Sequence, residues 1–180
     1  LVILVTLTFV TILYSATVTI ANVALPDIRG ALSATQDQIT WIVTANIVAT
    51  AVATPLAGWM AGRFGVRRVI LVSIAGFTLS SILCGSATSL GALVLYRVGQ
   101  GAFGAPLVPL SQAYLLRVFP QHLHTSAMAI WCMGAILGPI IAPTIRGSFS
   151  PIYGWRWAFF ILVPFRVAAF LIVSLAVSTA

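Results

Sequence analysis

The sequence contains no lysine and no glutamate. Its acidic side chains are Asp27 and Asp37 alone, and charged residues make up 6% of the chain, where a soluble globular domain carries roughly 25%. So few charges cannot furnish the outer surface of a water-soluble fold. A soluble enzyme and a disordered chain are both excluded. Nine arginines bring the formal net charge to +7. They are scattered between apolar runs rather than gathered on one solvated face, which excludes an ordinary nucleic-acid-binding domain and a nucleic-acid partner. Cys84 and Cys132 have no metal-ligand spacing and form no disulfide framework. The sequence offers no nucleophile–base pair, carboxylate pair or metal cluster, so no enzymatic activity, metal or cofactor is expected.

Apolar sequence dominates instead. Hydrophobic residues are 61% of the 180, and mean hydropathy is +1.12. A bilayer core about 30 Å thick needs about 20 mainly apolar residues per helix. The charges cut the chain into runs of that size, which predict helices over about 2–25, 39–61, 69–87, 91–115, 125–146 and 157–178. A soluble all-α bundle would need polar outer stripes on these helices. A secretory signal over 1–26 is not expected, for want of a basic start and a cleavage site. The expectation is therefore an all-α membrane protein with six transmembrane helices in contact with the lipid bilayer. Arg63, Arg67 and Arg68 cluster in one loop, and Arg117 falls in a loop on the same side. Arg29, Arg146 and Arg156 lie on the opposite side. The positive-inside rule places the Arg63–Arg68 loop, and both ends of the segment, in the cytoplasm. The chain lacks an initiator Met and Ala180 falls at the close of a helix, so a fragment of a longer membrane protein is expected.

Self-similarity appears at a fixed offset. Gly58, Gly65 and Arg67 recur 89 residues later as Gly147, Gly154 and Arg156, with Pro55 and Pro143 before each set. Helices 1–3 then correspond to helices 4–6. Three helices per repeat put equivalent ends on opposite sides of the membrane, the 3+3 inverted repeat of secondary transporters.

Several polar features stand out against the apolar background. On helix 4, Arg97, Gln100, Gly104 and Ser111 step by 3, 4 and 7 and share one face. An arginine inside a span costs about 2.5–3.5 kcal/mol on insertion scales, so it is expected at the bundle interior or a water-filled cavity; snorkelling from the helix end is the alternative. Pro106 and Pro109 are expected to bend this helix. On helix 1, Thr8, Thr11, Ser15, Thr19 and Asn22 form a stripe that suits either interhelical glue or ligand contact. On helix 5, Gly134, Gly138 and Ala142 form a small-residue ladder for close helix approach, with Pro139 and Pro143 adding bends.

Five ordered motifs carry a resemblance. They are Thr19–Pro26 (TIANVALP), Gly58–Arg68 (GWMAGRFGVRR), Arg97–Gln112 (RVGQGAFGAPLVPLSQ), Gly134–Pro143 (GAILGPIIAP) and Gly154–Pro164 (GWRWAFFILVP). Together they resemble the major facilitator superfamily, and within it the 14-helix EmrB/QacA-type drug–proton antiporters. The resemblance implies the amino-terminal six-helix bundle of a secondary active transporter over 1–180, working with missing carboxy-terminal helices. It implies multidrug efflux by alternating access coupled to protons, with a small amphipathic substrate, in the inner or plasma membrane. Arg97, Gln100, Gly104, Ser111, Thr17 and Asn22 are expected to line the substrate cavity. Gly58, Arg63, Gly65, Arg67 and Arg68 form an expected conformational latch. Gly134, Gly138, Pro139, Ala142 and Pro143 form the expected helix-packing antiporter motif.

The chain departs from that pattern. Thr17 stands where the family usually has aspartate, Gly62 where the superfamily has aspartate, Arg146 where a glycine is expected, Leu162 where asparagine is expected, and Arg166 where a small residue is common. No carboxylate falls inside the six predicted spans, and arginine does not deprotonate in proteins. Any proton carrier is therefore expected beyond Ala180. Arg166, about nine residues into its helix, is expected to face the bundle interior. The rival readings are a truncated, non-transporting membrane partner and a major facilitator transporter of a different substrate class.

Overall fold

The computed structural model describes residues 2–23, 25–33, 35–153, 160 and 162–176. The helices are α1 (Val2–Val23), α2 (Leu25–Leu32), α3 (Gln36–Phe64), α4 (Val66–Gly85), α5 (Leu90–Gly104), α6 (Leu107–Val118), α7 (His124–Tyr153) and α8 (Val163–Ala176), with a 3₁₀ turn at Gln121–Leu123 before α7. No strand occurs among the described residues. The helices at Ile3–Val23, Gln36–Phe64, Val66–Gly85 and Gln121–Thr144 are long and apolar enough to cross a bilayer.

Element boundaries follow local chemistry. Thr35 caps α3 by accepting from Gln38 N, while the Gln38 side chain returns to the Thr35 amide, a reciprocal capping box. Gly65, at φ +91°, ends α3 and lets α4 begin one residue later; a side chain there would be strained. The run expected as one helix over 91–115 is two. Pro106 has no amide to donate to the Ala102 carbonyl, and the chain passes through Ala105 and Pro106 before α6 starts. The helix expected to stop near 146 continues to Tyr153. Gly154, Trp155, Arg156 and Trp157 lie outside the described residues, as does the side chain of Arg146.

The core sits around α1. Leu4, Leu7, Val10, Leu13, Ala16 and Ile20 are buried along it against residues of α4, α6, α7 and α8. α1 packs chiefly on α7 and α8, α3 on α5, and α4 on α5 and α8. Exchanging α1 with α5–α6, α3 with α7 and α4 with α8 turns the α1–α7 pair into α5–α3 and the α1–α8 pair into α5–α4, and leaves α4–α8 as itself. The same 89-residue offset relates residue positions at two helix crossings. A Cβ at Gly138 would stand 2.9 Å from the Ile12 carbonyl, and one at Gly101 would stand 3.2 Å from Ala49 Cβ. Positions 12 and 101 are repeat mates, as are 49 and 138, so both crossings use the same two positions with the glycine on opposite partners. Phe77 and Arg166 are mates too, and they touch: the guanidinium lies 4.7 Å from the ring centroid. A residue in contact with its own mate lies beside the axis relating the repeats.

Candidate functional site

α5 presents Arg97 and Gln100 on one face because three residues is nearly one turn. Arg97 is 1% exposed and Gln100 is fully buried. The Arg97 guanidinium donates through Nη1 to Gln100 Oε1 and through Nη2 to Asn22 Oδ1 of α1 at 3.3 Å. Gln100 Nε2 in turn donates to Ser81 Oγ of α4 at 2.8 Å, and Ser81 donates to the Phe77 carbonyl at 2.9 Å. Asn46 Nδ2 of α3 donates to the Arg97 carbonyl at 3.1 Å. The guanidinium thus joins α5 to α1 directly and α4 through Gln100, while α3 is tied to the Arg97 backbone carbonyl by Asn46. The Arg97 Nε has no partner.

A second polar group adjoins the first through Phe77. Arg166 of α8 is 2% exposed; it stacks on the Phe77 ring and donates through Nη2 to Thr17 Oγ1 of α1. Thr17 donates its own proton to the Leu13 carbonyl at 2.7 Å. Arg166 Nε and Nη1 have no partner. The interior placement expected for Arg166 is what the structure contains.

Of the expected cavity residues, Thr17, Asn22, Arg97 and Gln100 belong to these two linked groups. Gly104 and Ser111 do not. A Cβ at Gly104 would stand 2.6 Å from Tyr14 Cε2 and 3.0 Å from Phe77, so this glycine admits two aromatic rings. Ser111 is fully buried, and its hydroxyl has no partner. Sequence reasoning noted Asn46 as a polar residue of its second span without placing it in the cavity, and left out Ser81. Each is a hydrogen-bonding side chain in an apolar run, the signal that could have marked them.

The loop at 58–68 divides by role. Arg67 Nη2 donates to the Ser174 carbonyl in the last turn of α8 at 2.7 Å, where the helix dipole is negative. Arg63 lies 5.7 Å from the Trp59 ring and 5.9 Å from the Phe64 ring. Arg68 is exposed and borders an apolar cavity of about 540 Å³ between α3, α4 and α5. Gly58 has open space where a Cβ would stand. On α7, the buried stripe of Ala127, Trp131, Gly134, Gly138 and Ala142 packs on α1, while Pro139 and Pro143 are exposed. A Cβ at Gly134 would collide with the Thr8 methyl; one at Gly138 would stand 2.7 Å from Ser15 Cβ and 2.8 Å from Ala16 N. Trp131 Nε1 donates to Thr11 Oγ1 at 2.9 Å. Thr8, Thr11 and Ser15 therefore face α7 as interhelical contacts, while Thr17 and Asn22 face the arginines.

The sequence model of the Major Facilitator Superfamily matches residues 7–179. The chain belongs to the major facilitator superfamily. It is 46% identical over 154 residues to the multidrug export protein EmrB of Haemophilus influenzae, covering 86% of this chain and 30% of that protein. It is 43% identical to the probable multidrug resistance protein EmrY of Escherichia coli K12, over 83% of this chain and 29% of that one. The fatty acid resistance protein FarB of Neisseria gonorrhoeae is 41% identical, with 83% and 29% covered. The chain spans about 30% of the length of these relatives. In three dimensions it matches the xylose transporter XylE from E. coli in a partially occluded inward-open conformation, with TM-score 0.86 and 14% identity, covering 99% of this chain and 50% of that one. That likeness shows the fold, a transporter half-bundle of the major facilitator type.

Proposed function

We propose that the chain is the amino-terminal six-helix bundle of a multidrug exporter that extrudes small amphipathic molecules by alternating access, in exchange for protons. The observation that carries the reading is the buried Arg97 cluster, where a costly intramembrane charge is held by Gln100 of α5 and Asn22 of α1, with Ser81 of α4 behind Gln100. Such a group in a transporter fold marks a substrate or ion path. The names of EmrB and EmrY support export as the direction of transport. Asn22 is only half-buried, so the Arg97 cluster reaches the bundle surface there, where substrate would pass between this bundle and a second one. The proton is carried by a group outside these 180 residues, and both ends of the segment lie in the cytoplasm. Arg67 on Ser174 fastens α4 to α8 within this bundle, and the exposed Arg63 and Arg68 latch against the second bundle as the two rock.

The test is Arg97→Lys in the full-length protein. The guanidinium reaches Gln100 and Asn22 with two different nitrogens, which one ammonium on a shorter fork-less stem cannot do. Efflux of an amphipathic fluorescent dye from cells should fall about 10-fold, corresponding to about 1.4 kcal/mol, at unchanged membrane abundance. Wild-type efflux by Arg97→Lys would remove Arg97 from the transport path.

A further inference from the structure

Arginine only donates hydrogen bonds, so each side chain that Arg97 touches is turned with its acceptor toward the guanidinium. Two branches leave it. On the first, Gln100 accepts through Oε1 and donates through Nε2 to Ser81, and Ser81 donates to the Phe77 carbonyl. That branch closes on an acceptor inside the bundle. On the second, Asn22 accepts through Oδ1 from Arg97 Nη2 at 3.3 Å. The opposite orientation of the Asn22 amide would set donor against donor, so Arg97 fixes which end of it faces away. Asn22 Nδ2 makes no hydrogen bond among the described residues, and it is not a buried atom. The second branch therefore ends in a free donor on a half-buried side chain.

Asn22 stands in the last turn of α1, a helix long and apolar enough to cross a bilayer. A free N–H group against hydrocarbon is costly, so this one faces water or a polar ligand. Arg97 polarises the carboxamide, which strengthens its N–H groups as donors. The side-chain partners of the guanidinium, Gln100 and Asn22, are both neutral, so a positive charge stands directly behind the donor. An acceptor placed there gains a hydrogen bond and a favourable field. An ammonium group gains neither. Resting on the exporter reading above, we infer that Asn22 is a specificity-determining residue: its amide, locked by Arg97, donates to the carboxylate or carbonyl of a passing substrate and discriminates against ammonium compounds.

The full-length protein in everted membrane vesicles tests this with pyrenebutyrate and pyrenebutylamine. The two share a fluorophore and an aliphatic chain and differ in a terminal carboxylate against a terminal ammonium. The wild type should show a KM for pyrenebutyrate about 10-fold below that for pyrenebutylamine. Asn22→Asp turns an acceptor outward in place of the donor and should reverse the order. Arg97→Gln puts a group that can donate or accept beside Asn22, which frees the amide to turn and should bring the two KM values together. Equal KM values in the wild type would overturn the inference while leaving the exporter reading in place, as would a preference for pyrenebutyrate that survives in Asn22→Asp. Transport of neither compound by the wild type, at normal membrane abundance, would overturn the exporter reading and the inference with it. If Asn22→Asp fails to reach the membrane, the wild-type ratio and Arg97→Gln still decide, and an undiminished preference in Arg97→Gln would overturn the lock.

Discussion

At the scale of single residues, glycines of the same loop separate by backbone and by space. Gly65 holds φ +91°, a conformation that costs a residue with a Cβ of order 1–3 kcal/mol. Gly58 and Gly62 lie inside α3 with nothing within 4 Å of an added Cβ, and alanine is favoured over glycine in a helix by about 1 kcal/mol. Gly65→Ala should therefore lower the melting temperature of the full-length protein in detergent, while Gly58→Ala and Gly62→Ala leave it unchanged or raise it. Equal effects at the three positions would show that the turn does not depend on the left-handed backbone. The sequence made the motif visible as a unit but not this division, because φ is a property of the folded turn. Arg97 and Gln100 were legible from their spacing on one helix. The Thr17 partner of Arg166 was not, since the two are 149 residues apart and meet only once α8 packs on α1.

At the scale of elements, the α1–α7 crossing shows what small residues do here. The ladder of Gly134, Gly138 and Ala142 was readable from the sequence as a close-approach face, and the structure supplies its counterpart in Thr8, Ser15 and Ala16. At Gly138 even a methyl group meets backbone atoms, the Ala16 amide nitrogen at 2.8 Å and the Ile12 carbonyl oxygen at 2.9 Å. Backbone yields less readily than a side chain, and overpacking of this kind costs about 1–3 kcal/mol. Gly138→Ala should destabilise the protein measurably in a thermal unfolding assay, and Gly138→Leu should abolish dye efflux while leaving membrane insertion intact. Normal efflux by Gly138→Leu would mean that the crossing can open without consequence for transport. The break between α5 and α6 was less legible. Two prolines three residues apart announced a bend, but only Pro106 ends a helix. Pro109 falls in the first turn of α6, where a missing amide costs nothing.

At the scale of the whole molecule, the offset of 89 residues ties the two halves together beyond the loop motifs that first revealed it. The exposed apolar residues Ile47 and Val48 on α3 have Ile136 and Leu137 as mates on α7, and these are exposed as well. The repeat thus places apolar surface on two equivalent faces, as a body embedded in lipid or pressed against another bundle requires. Six apolar runs were legible because the bilayer fixes their length; the pairing of helices was not, because it depends on side-chain contacts between distant segments. The direction of the bundle rests on arginine placement, and it can be tested at sites chosen from the structure. Ser89 caps α5 by accepting from Ala92 N, so replacing it would cost about 1 kcal/mol. Thr88 is exposed in the same turn and caps nothing in α5, and His122 is exposed in the 3₁₀ turn before α7. In the full-length protein lacking Cys84 and Cys132, Thr88→Cys should react with a membrane-impermeant maleimide added to intact cells. His122→Cys should react only after lysis. The reverse pattern would invert the bundle, place the Arg63, Arg67 and Arg68 cluster outside, and set the protein against the positive-inside rule.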